Sequence, residues 1–507
     1  MRNELIKNIS ILLIINIVSI FIYKDNLHNF FVSEDLMQVW DSNLEYILHQ
    51  LFPNKVAGYR PIMYIWWGLG YSLFGYNPFA FRWSTILLHS VNAIIIYRIV
   101  HLLAKSRLAG VVSSLFYLPM PIHSNVINWL SAASNQVTCA FFYLMAILFY
   151  LVKASDKVNN SRNSKVIDIL CISAMILAMA TNEVALTIIF ALFGIDLSFR
   201  LTSYRRFFYA LKSTLKDIRI FLISWLVFII WRALAVHGIG GYGASVHLRA
   251  GDFLFQTSEL VVRMLLLPWS EHRLFSILID NIFNSYIVLL ISLLIFSLLM
   301  WRGHIGLIIL AASLLPILNI PAYHRLYVPA AGLAITIGTT LGAVIHLSRS
   351  WMRVILLVIT IGVFKFNFIY QYHSLSLINQ EWRRASAITS TVVTQTVSLI
   401  PSPPNGSIFY YYALPRNLGK GVQVFNWGLR QAVQAAYNDR SLKAFRVKKI
   451  TNSRYNIEHS LDRVLQQKSL NANVYLLIFD ISKMELRLSS EEEFIRVVNT
   501  MTLGPEY

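Results

Sequence analysis

The chain predicts an all-α polytopic membrane protein, with about eleven spans, followed by a small soluble α/β domain. Three observations carry that prediction. Hydrophobic residues make up 56% of the 507 residues and charged ones only 14%, with a mean hydropathy of +0.55. A soluble chain of this length carries more charge and less apolar surface. Apolar runs, each near the roughly 20 residues needed to cross a hydrocarbon core, recur through the first three quarters of the sequence. The runs are continuous rather than alternating, which argues against a β-barrel.

Taken in order, the runs place spans at 6–23, 78–103, 109–125, 133–152, 166–182, 184–199, 219–236, 283–301, 305–321, 327–347 and 353–371. The first follows Arg2 and Lys7 as a signal peptide would. The bulky "IFIYKDNLHNFF" after it lacks a small-residue cleavage pattern, so it reads as an uncleaved span. Residues 61–75, "PIMYIWWGLGYSLFG", and 258–268, "ELVVRMLLLPW" with Arg263, are apolar but short, and suit helices lying in the interface.

The formal charge of +19 admits a nucleic-acid reading, but the cations fall in short loops between apolar runs. With a cytoplasmic N-terminus, Lys105, Arg107, Lys153, Lys157, Arg162, Lys165, Arg200, Arg205, Arg206, Lys212, Lys216, Arg302, Arg349 and Arg353 all fall on the cytoplasmic side. No nucleic-acid partner is expected. "SEDLMQVWDS" and everything after residue 372 then lie outside the cytoplasm, in a multi-pass protein of the plasma (inner) membrane. The two cysteines, Cys139 and Cys171, sit inside apolar runs and read as small buried hydrophobes.

The expected domains are 1–371 in the membrane, a connecting segment 372–400, and an extracytoplasmic α/β domain over 401–507. "PSPPNGS" opens the last as a turn. "SIFYYYAL" and "NVYLLIFDI" read as buried strands, "NWGLRQAVQAAYNDR" as an amphipathic helix, and the tail is net positive.

Ionisable groups within or beside spans are costly and point to function. Glu34, Asp35, His123, Glu183, Arg232, His324 and Arg325 all fall toward the outer ends of spans, where one polar cavity would collect them. Each has a plainer reading too. Glu34 and Asp35 would serve as an N-terminal cap after Ser33, Glu183 as a cap of the sixth span, and Arg82 as a snorkelling cation. His89 would be an interhelical hydrogen-bonding residue, His324 an interfacial one, and Asp41 and Glu45 a solvated helix face. Paired carboxylates in a desolvated cavity supply acid–base chemistry. Arginines hold phosphate oxygens and stabilise a leaving phosphate. Acids facing arginines suit group transfer from a lipid phosphate to a hydroxyl.

At this point the sequence resembles a known family. "SEDLMQVW…GYRPIMYIWWGLGYSLFGYNPFAFRWSTILLHSVNAIIIYRI" is similar to the N-terminal part of the lipid-phosphate-sugar-dependent glycosyltransferases of the GT-C fold, a superfamily that includes ArnT-like enzymes and O-mannosyltransferases. The shared features are an acidic pair (Glu34–Asp35), "RP" (Arg60–Pro61), an "LFG-x-N" turn (73–77) and an arginine-bearing span (Arg82). "PMPIHSNVINWLS", "LAMATNEVALTIIFALFGIDL" and "AYHRLYVPAAGLAI" resemble, in order, the "HPVHTEAV", "SKE" and "ERYLYLPSVG" segments of the O-mannosyltransferases with tetratricopeptide repeats. This chain departs from them at Asn182, Met120 and Asn125, and a compact tail replaces the repeats.

The resemblance implies a polyprenyl- or dolichyl-phosphate-linked sugar donor, transfer outside the cytoplasm and a base from the acidic pair, with the choice between Asp35 and Glu34 open. Arg325 would face the donor phosphate, with Arg60 or Arg232 assisting. Glu183, His123 and His324 would lie near the substrates. The acceptor would be a glycan, lipid or protein hydroxyl, beside membrane lipid. No cofactor is certain. Two neighbouring acids suit a divalent metal, but no ligand spacing defines one. The competing readings are a transporter or lipid flippase with an outward-facing polar cavity, and a scaffold whose tail is the working part. The hydropathy pattern shows no inverted repeat for the former.

Overall fold

The computed structural model describes residues 2–42, 44–51, 59–156, 164–203, 206–236, 304–317, 323–347, 350–419, 421–448, 458–470 and 473–501. The expected segment 258–268 and the expected span 283–301 lie outside these residues.

Six helices among the described residues are long and apolar enough to cross a membrane. They fall at Ile9–Asn26, Pro78–Ala104, Leu130–Ser155, Glu183–Thr202, Phe207–Val236 and His324–His346. The protein is thus a multi-pass membrane protein. The expected number of spans is larger, and the differences have local causes. The run 109–125 contains Pro119 and Pro121, which cannot continue a helix, so it divides into Arg107–Tyr117 and Ile122–Asn128. The run 166–182 yields a helix of only 16 residues, Ser164–Met179. The run 305–321 yields the short apolar helix His304–Leu314. The run 353–371 is the first part of one 50-residue helix, Ser350–Leu399, which continues through 372–400.

In chain order the helices are α1 (Arg2–Tyr23), α2 (Glu34–Asp41), α3 (Leu44–Leu51), α4 (Pro61–Phe74), α5 (Pro78–Ala104), α6 (Arg107–Tyr117), α7 (Ile122–Asn128), α8 (Leu130–Asp156), α9 (Ser164–Met179), α10 (Ile188–Ser203) and α11 (Phe207–Val236). They continue with α12 (His304–Leu314), α13 (Tyr327–Leu347), α14 (Ser350–Leu399), α15 (Leu429–Tyr437), α16 (Leu461–Leu470) and α17 (Glu491–Thr500). Start signals are local. Asn77 accepts from the Phe79 N–H ahead of Pro78, and Ser106 accepts from the Ala109 N–H. In the bundle, α12 and α13 meet backbone to backbone. A Cβ on Gly306 would stand 2.3 Å from the Thr336 nitrogen, and one on Gly332 would stand 2.6 Å from that of Leu310. Close approach through small residues is how helices associate where lipid is as apolar as leucine.

The tail carries a small sheet, in which "SIFYYYAL" and "NVYLLIFDI" supply strands. β1 (Ile408–Tyr412), β4 (Lys443–Lys448), β5 (Glu458–Ser460), β6 (Val474–Asp480) and β7 (Glu485–Leu488) form a sheet in the order β5-β4-β1-β6-β7, with only β7 antiparallel. β2 (Asn417–Leu418) and β3 (Val422–Gln423) make a separate small ladder. All five residues of β1 are buried, as a central parallel strand requires. Its side chains alternate between two cores. Ile408, Tyr410 and Tyr412 pack with Val464, Phe494 and Val498. Phe409 and Tyr411 join a core that also holds Leu36 and Val39 of α2, Met63 and Trp67 of α4, and Trp382 and Val392 of α14. The acidic-pair helix and the C-terminal sheet therefore share one hydrophobic core.

Helix direction fixes the two ends of the bundle. α8 begins at the acidic pair and runs 27 residues, about 40 Å at 1.5 Å per residue, to Lys153 and Asp156. Lys153 pairs with Asp168 there, and Arg200 bridges Asp196 and Asp217 at the corresponding end of α10 and α11. The acidic pair and the cations Lys153 and Arg200 thus occupy opposite ends of the bundle.

Candidate functional site

The two acids of the pair have different surroundings. Asp35 is fully buried. Its Oδ1 accepts from the Ser131 N–H at 2.7 Å, and its Oδ2 lies 3.4 Å from the nitrogens of Leu130 and Val32. Leu130 and Ser131 open α8, so Asp35 satisfies that helix's first orphan donors and faces its positive end. The cap is real, but it serves α8 rather than the acids' own helix.

Glu34 is only partly buried. Its Oε2 accepts from the Ser33 hydroxyl at 2.7 Å. The Ser33 Oγ in turn accepts from the Trp427 N–H at 3.3 Å, and the Ser33 N–H donates to the Val424 carbonyl at 2.7 Å. Ser33 caps no N–H of α2, and its backbone sits at φ +48°. Such a conformation costs a non-glycine residue about 1–3 kcal/mol and persists only where surroundings over-determine it. Here the C-terminal loop 424–428 does so.

Burial raises both carboxyls. For Glu34 the Ser33 hydroxyl opposes this and Asp35 adds to it, leaving a value of about 7. For Asp35 the Arg82 guanidinium and the Ser131 N–H oppose burial, leaving a value of about 6. The pair titrates jointly, with Asp35 losing its proton first.

Arg82 does not snorkel. It is 2% exposed and donates to the carbonyls of Asn29 at 2.6 Å, Phe30 at 2.7 Å and Asn128 at 2.9 Å. It thereby ties the approach to the acidic pair to the turn before α8. His89 is the interhelical residue expected, its Nδ1 lying 2.5 Å from the Tyr327 hydroxyl.

A second cluster surrounds Glu183. Arg60 meets it through Nη2 at 2.8 Å and Nε at 3.0 Å, and Arg232 through Nη2 at 2.9 Å. Arg232 also donates to the Tyr59 carbonyl at 2.8 Å. Glu183 caps nothing, since Asn182 accepts from the Val184 N–H instead. Two guanidiniums on one carboxylate leave an excess positive charge. His324 connects the two clusters. Its ring meets that of Trp129 edge-on at 5.4 Å, and both Arg325 and Arg60 act on it electrostatically. Contacts run from the acidic pair through Leu130 and its neighbour Trp129 to His324 and the adjoining Arg325, while Arg60 and Arg232 gather on Glu183 as a second cluster.

His123 lies apart from that chain of contacts. It is fully buried, with its ring 4.5–4.6 Å from those of Tyr117 and Tyr327 and 5.1 Å from that of His89. Asp41 is no freely solvated face, because Gln431 reaches its Oδ2 at 3.5 Å, whereas Glu45 is exposed. Both cysteines are buried and free.

A divalent metal does not fit these residues. No three His, Cys, Asp or Glu side chains come together among the described residues, and the oxygens of Asp35 are committed to backbone N–H groups. Sequence reading missed Ser33 and Trp129. Ser33 is adjacent to the acid it supports. Trp129 lies ninety-five residues beyond Glu34, within a stretch that reads as the edge of a span.

The interdomain contact can be tested at Gly428, whose φ is +78° and whose Cβ would stand 2.3 Å from the Ser33 carbonyl oxygen. Gly428→Ala is expected to lower stability by about 2 kcal/mol or more, through backbone strain and displacement of the Ser33 turn. A thermal melt of the purified variant measures it, and a wild-type transition would contradict the contact.

Together these features define a polytopic membrane protein of the GT-C fold, the fold that the sequence resemblance implies. The particular similarities are to solved structures of ArnT from Cupriavidus metallidurans, in the apo state and bound to undecaprenyl phosphate. Each superposes with a TM-score of 0.51 at 12% identity. The alignments cover 99% of this chain and 95% of the apo one, and 100% and 96% for the bound one. The oligosaccharyltransferase of Archaeoglobus fulgidus, in complex with Zn and sulfate, matches with a TM-score of 0.50 at 10% identity, over 92% of this chain and 68% of its own. No family model matches the sequence. No curated protein matches it either.

Proposed function

We propose that the protein is a membrane glycosyltransferase that moves a sugar from a polyprenyl-phosphate carrier to an acceptor hydroxyl on the extracytoplasmic side. The observation that carries this reading is the acidic pair set against the start of α8, with Trp129 and His324 beside it and two arginines held on Glu183 as a second cluster. Glu34 is the base, because it is partly exposed whereas Asp35 is fully buried and committed to the start of α8. Asp35, buried and capped onto α8, positions it. Undecaprenyl phosphate bound to ArnT, which shares the fold, supports a lipid phosphate as the carrier.

In the step, the acceptor hydroxyl gives its proton to Glu34 and its oxygen bonds to the anomeric carbon. The bond from that carbon to the phosphate oxygen breaks, and the electron pair leaves on the phosphate. A single displacement inverts the anomeric centre. The departing phosphate gains negative charge, and the guanidiniums of Arg325 and Arg60, with the excess charge around Glu183, stabilise it.

The direct experiment offers purified protein a series of polyprenyl-phosphate sugars and scores transfer or donor hydrolysis. Transport of a lipid-linked sugar across proteoliposomes without bond cleavage would replace this reading with the transporter. The pH dependence has a definite sign. Below its raised value Glu34 is protonated and cannot accept a proton. Turnover is therefore expected to rise with pH through about 6 to 7 and level off above. A rate constant flat from pH 5 to 8, measured under saturating donor, would remove Glu34 from the base role.

A further inference from the structure

The C-terminal domain contains a cavity of about 490 Å³ that the transfer step does not use. It opens between β4, β5, α15 and α16, and Met37 of α2 forms part of its wall. Among the described residues four cations line it: Arg430, Lys443, Arg446 and Arg463. No Asp or Glu lines it among the described residues. Arg430, Lys443 and Arg463 are exposed, so their charges reach whatever enters, while Arg446 is 4% exposed in the floor.

Two further features point to a ligand. α15 starts in the cavity wall at Gly428, and among the described residues no side chain caps its first N–H groups. His459, 4% exposed, lines the cavity with a buried Nε2 that has no hydrogen-bond partner among the described residues. Its Nδ1 is held by the Tyr410 hydroxyl at 3.1 Å, and its ring stacks on Phe445 at 4.0 Å. Burial, reinforced by nearby Arg463, keeps this imidazole neutral, with a value of about 4. A neutral imidazole held in one orientation suits a hydroxyl better than a second anion does. Phe425 and Trp427 add aromatic carbon to the same walls, as the apolar face of a sugar ring requires.

We propose that this cavity binds an anionic sugar unit, one carrying a phosphate or carboxylate group, and that this unit belongs to the acceptor. The cations and the start of α15 take the charge. His459 takes a hydroxyl, and the aromatic walls take the ring. The second half of the proposal rests on the transferase reading above. Its geometric support is Met37, which is one helical turn, about 4.5 Å of rise, from Glu34 on α2. An acceptor held here reaches the base along a single short helix.

The test is ligand binding to the full chain in detergent micelles, read by saturation-transfer NMR titration. Glucose 6-phosphate and glucuronate report the two sources of charge, and glucose and inorganic phosphate serve as controls. At least one anionic sugar is expected to bind tenfold or more tighter than glucose and tighter than inorganic phosphate. The double variant Lys443→Gln, Arg463→Gln, whose sites are both exposed, is expected to lose that binding tenfold or more with an unchanged melting temperature. Glucose binding as tightly as the anionic sugars would overturn the proposal, as would inorganic phosphate binding equally well or a double variant that binds like the wild type. The readout is binding, not turnover, so its failure leaves the transferase reading standing. Loss of transfer in E34Q likewise leaves this site standing.

Discussion

Glu34→Gln is expected to insert and fold as the wild type does and to lose transfer by about 10²–10⁴-fold, the usual contribution of a general base. The substitution keeps the volume and leaves an amide oxygen to accept from Ser33, so the local packing survives. What it removes is the proton acceptor. Donor binding should change little, because the arginines proposed to face the phosphate are untouched. Asp35→Asn should behave differently. An amide at that position cannot accept N–H bonds from Ser131 and Leu130 with both heads, and it removes the charge facing Arg82 and the start of α8. We expect a loss of roughly 2 kcal/mol of stability or more, with activity falling along with the amount of folded protein. The comparison separates the two carboxyls. If E34Q retains turnover while D35N is folded and inactive, the roles assigned to them are reversed.

Much of the architecture was legible because a membrane imposes a coarse rule on sequence. A run such as 78–103 is long and apolar enough to span, and the apolar run "SIFYYYAL" after the turn "PSPPNGS" reads as a buried strand. Legibility failed where two local rules competed. Length and hydropathy made 109–125 a single span, but Pro119 and Pro121 interrupt it. In the candidate site, residue types were readable and partners were not. Glu183 stood out as a carboxylate inside an apolar run, but nothing in the sequence pairs it with Arg60, 123 residues upstream. The greater gap concerned the tail. It reads as a separate soluble domain, whereas its core is continuous with Leu36 and Val39. A shared core between segments nearly four hundred residues apart leaves no periodic trace in either.

Removing Arg82 should have the largest effect on stability, although it takes no part in the transfer step. Arg82→Met keeps an unbranched, apolar side chain in the span and deletes the guanidinium. The buried carbonyls of Asn29 and Asn128 and the partly buried one of Phe30 then lose their donors. The Asp35 carboxylate also loses the cation that opposes its burial. Each unsatisfied buried group costs about 1–3 kcal/mol, and an uncompensated buried charge about 3–5 kcal/mol. Relaxation recovers part of this, so we expect a net loss of about 4 kcal/mol. The double variant R82M/D35N is the sharper measurement. If the arginine acts through the carboxylate, removing both should cost less than the sum of the single losses, by about 1–2 kcal/mol. Strict additivity would mean that Arg82 merely ties loops together. A positive coupling would mean that the membrane span itself holds the charge of Asp35, and so sets where on α2 its neighbour Glu34 presents its carboxylate.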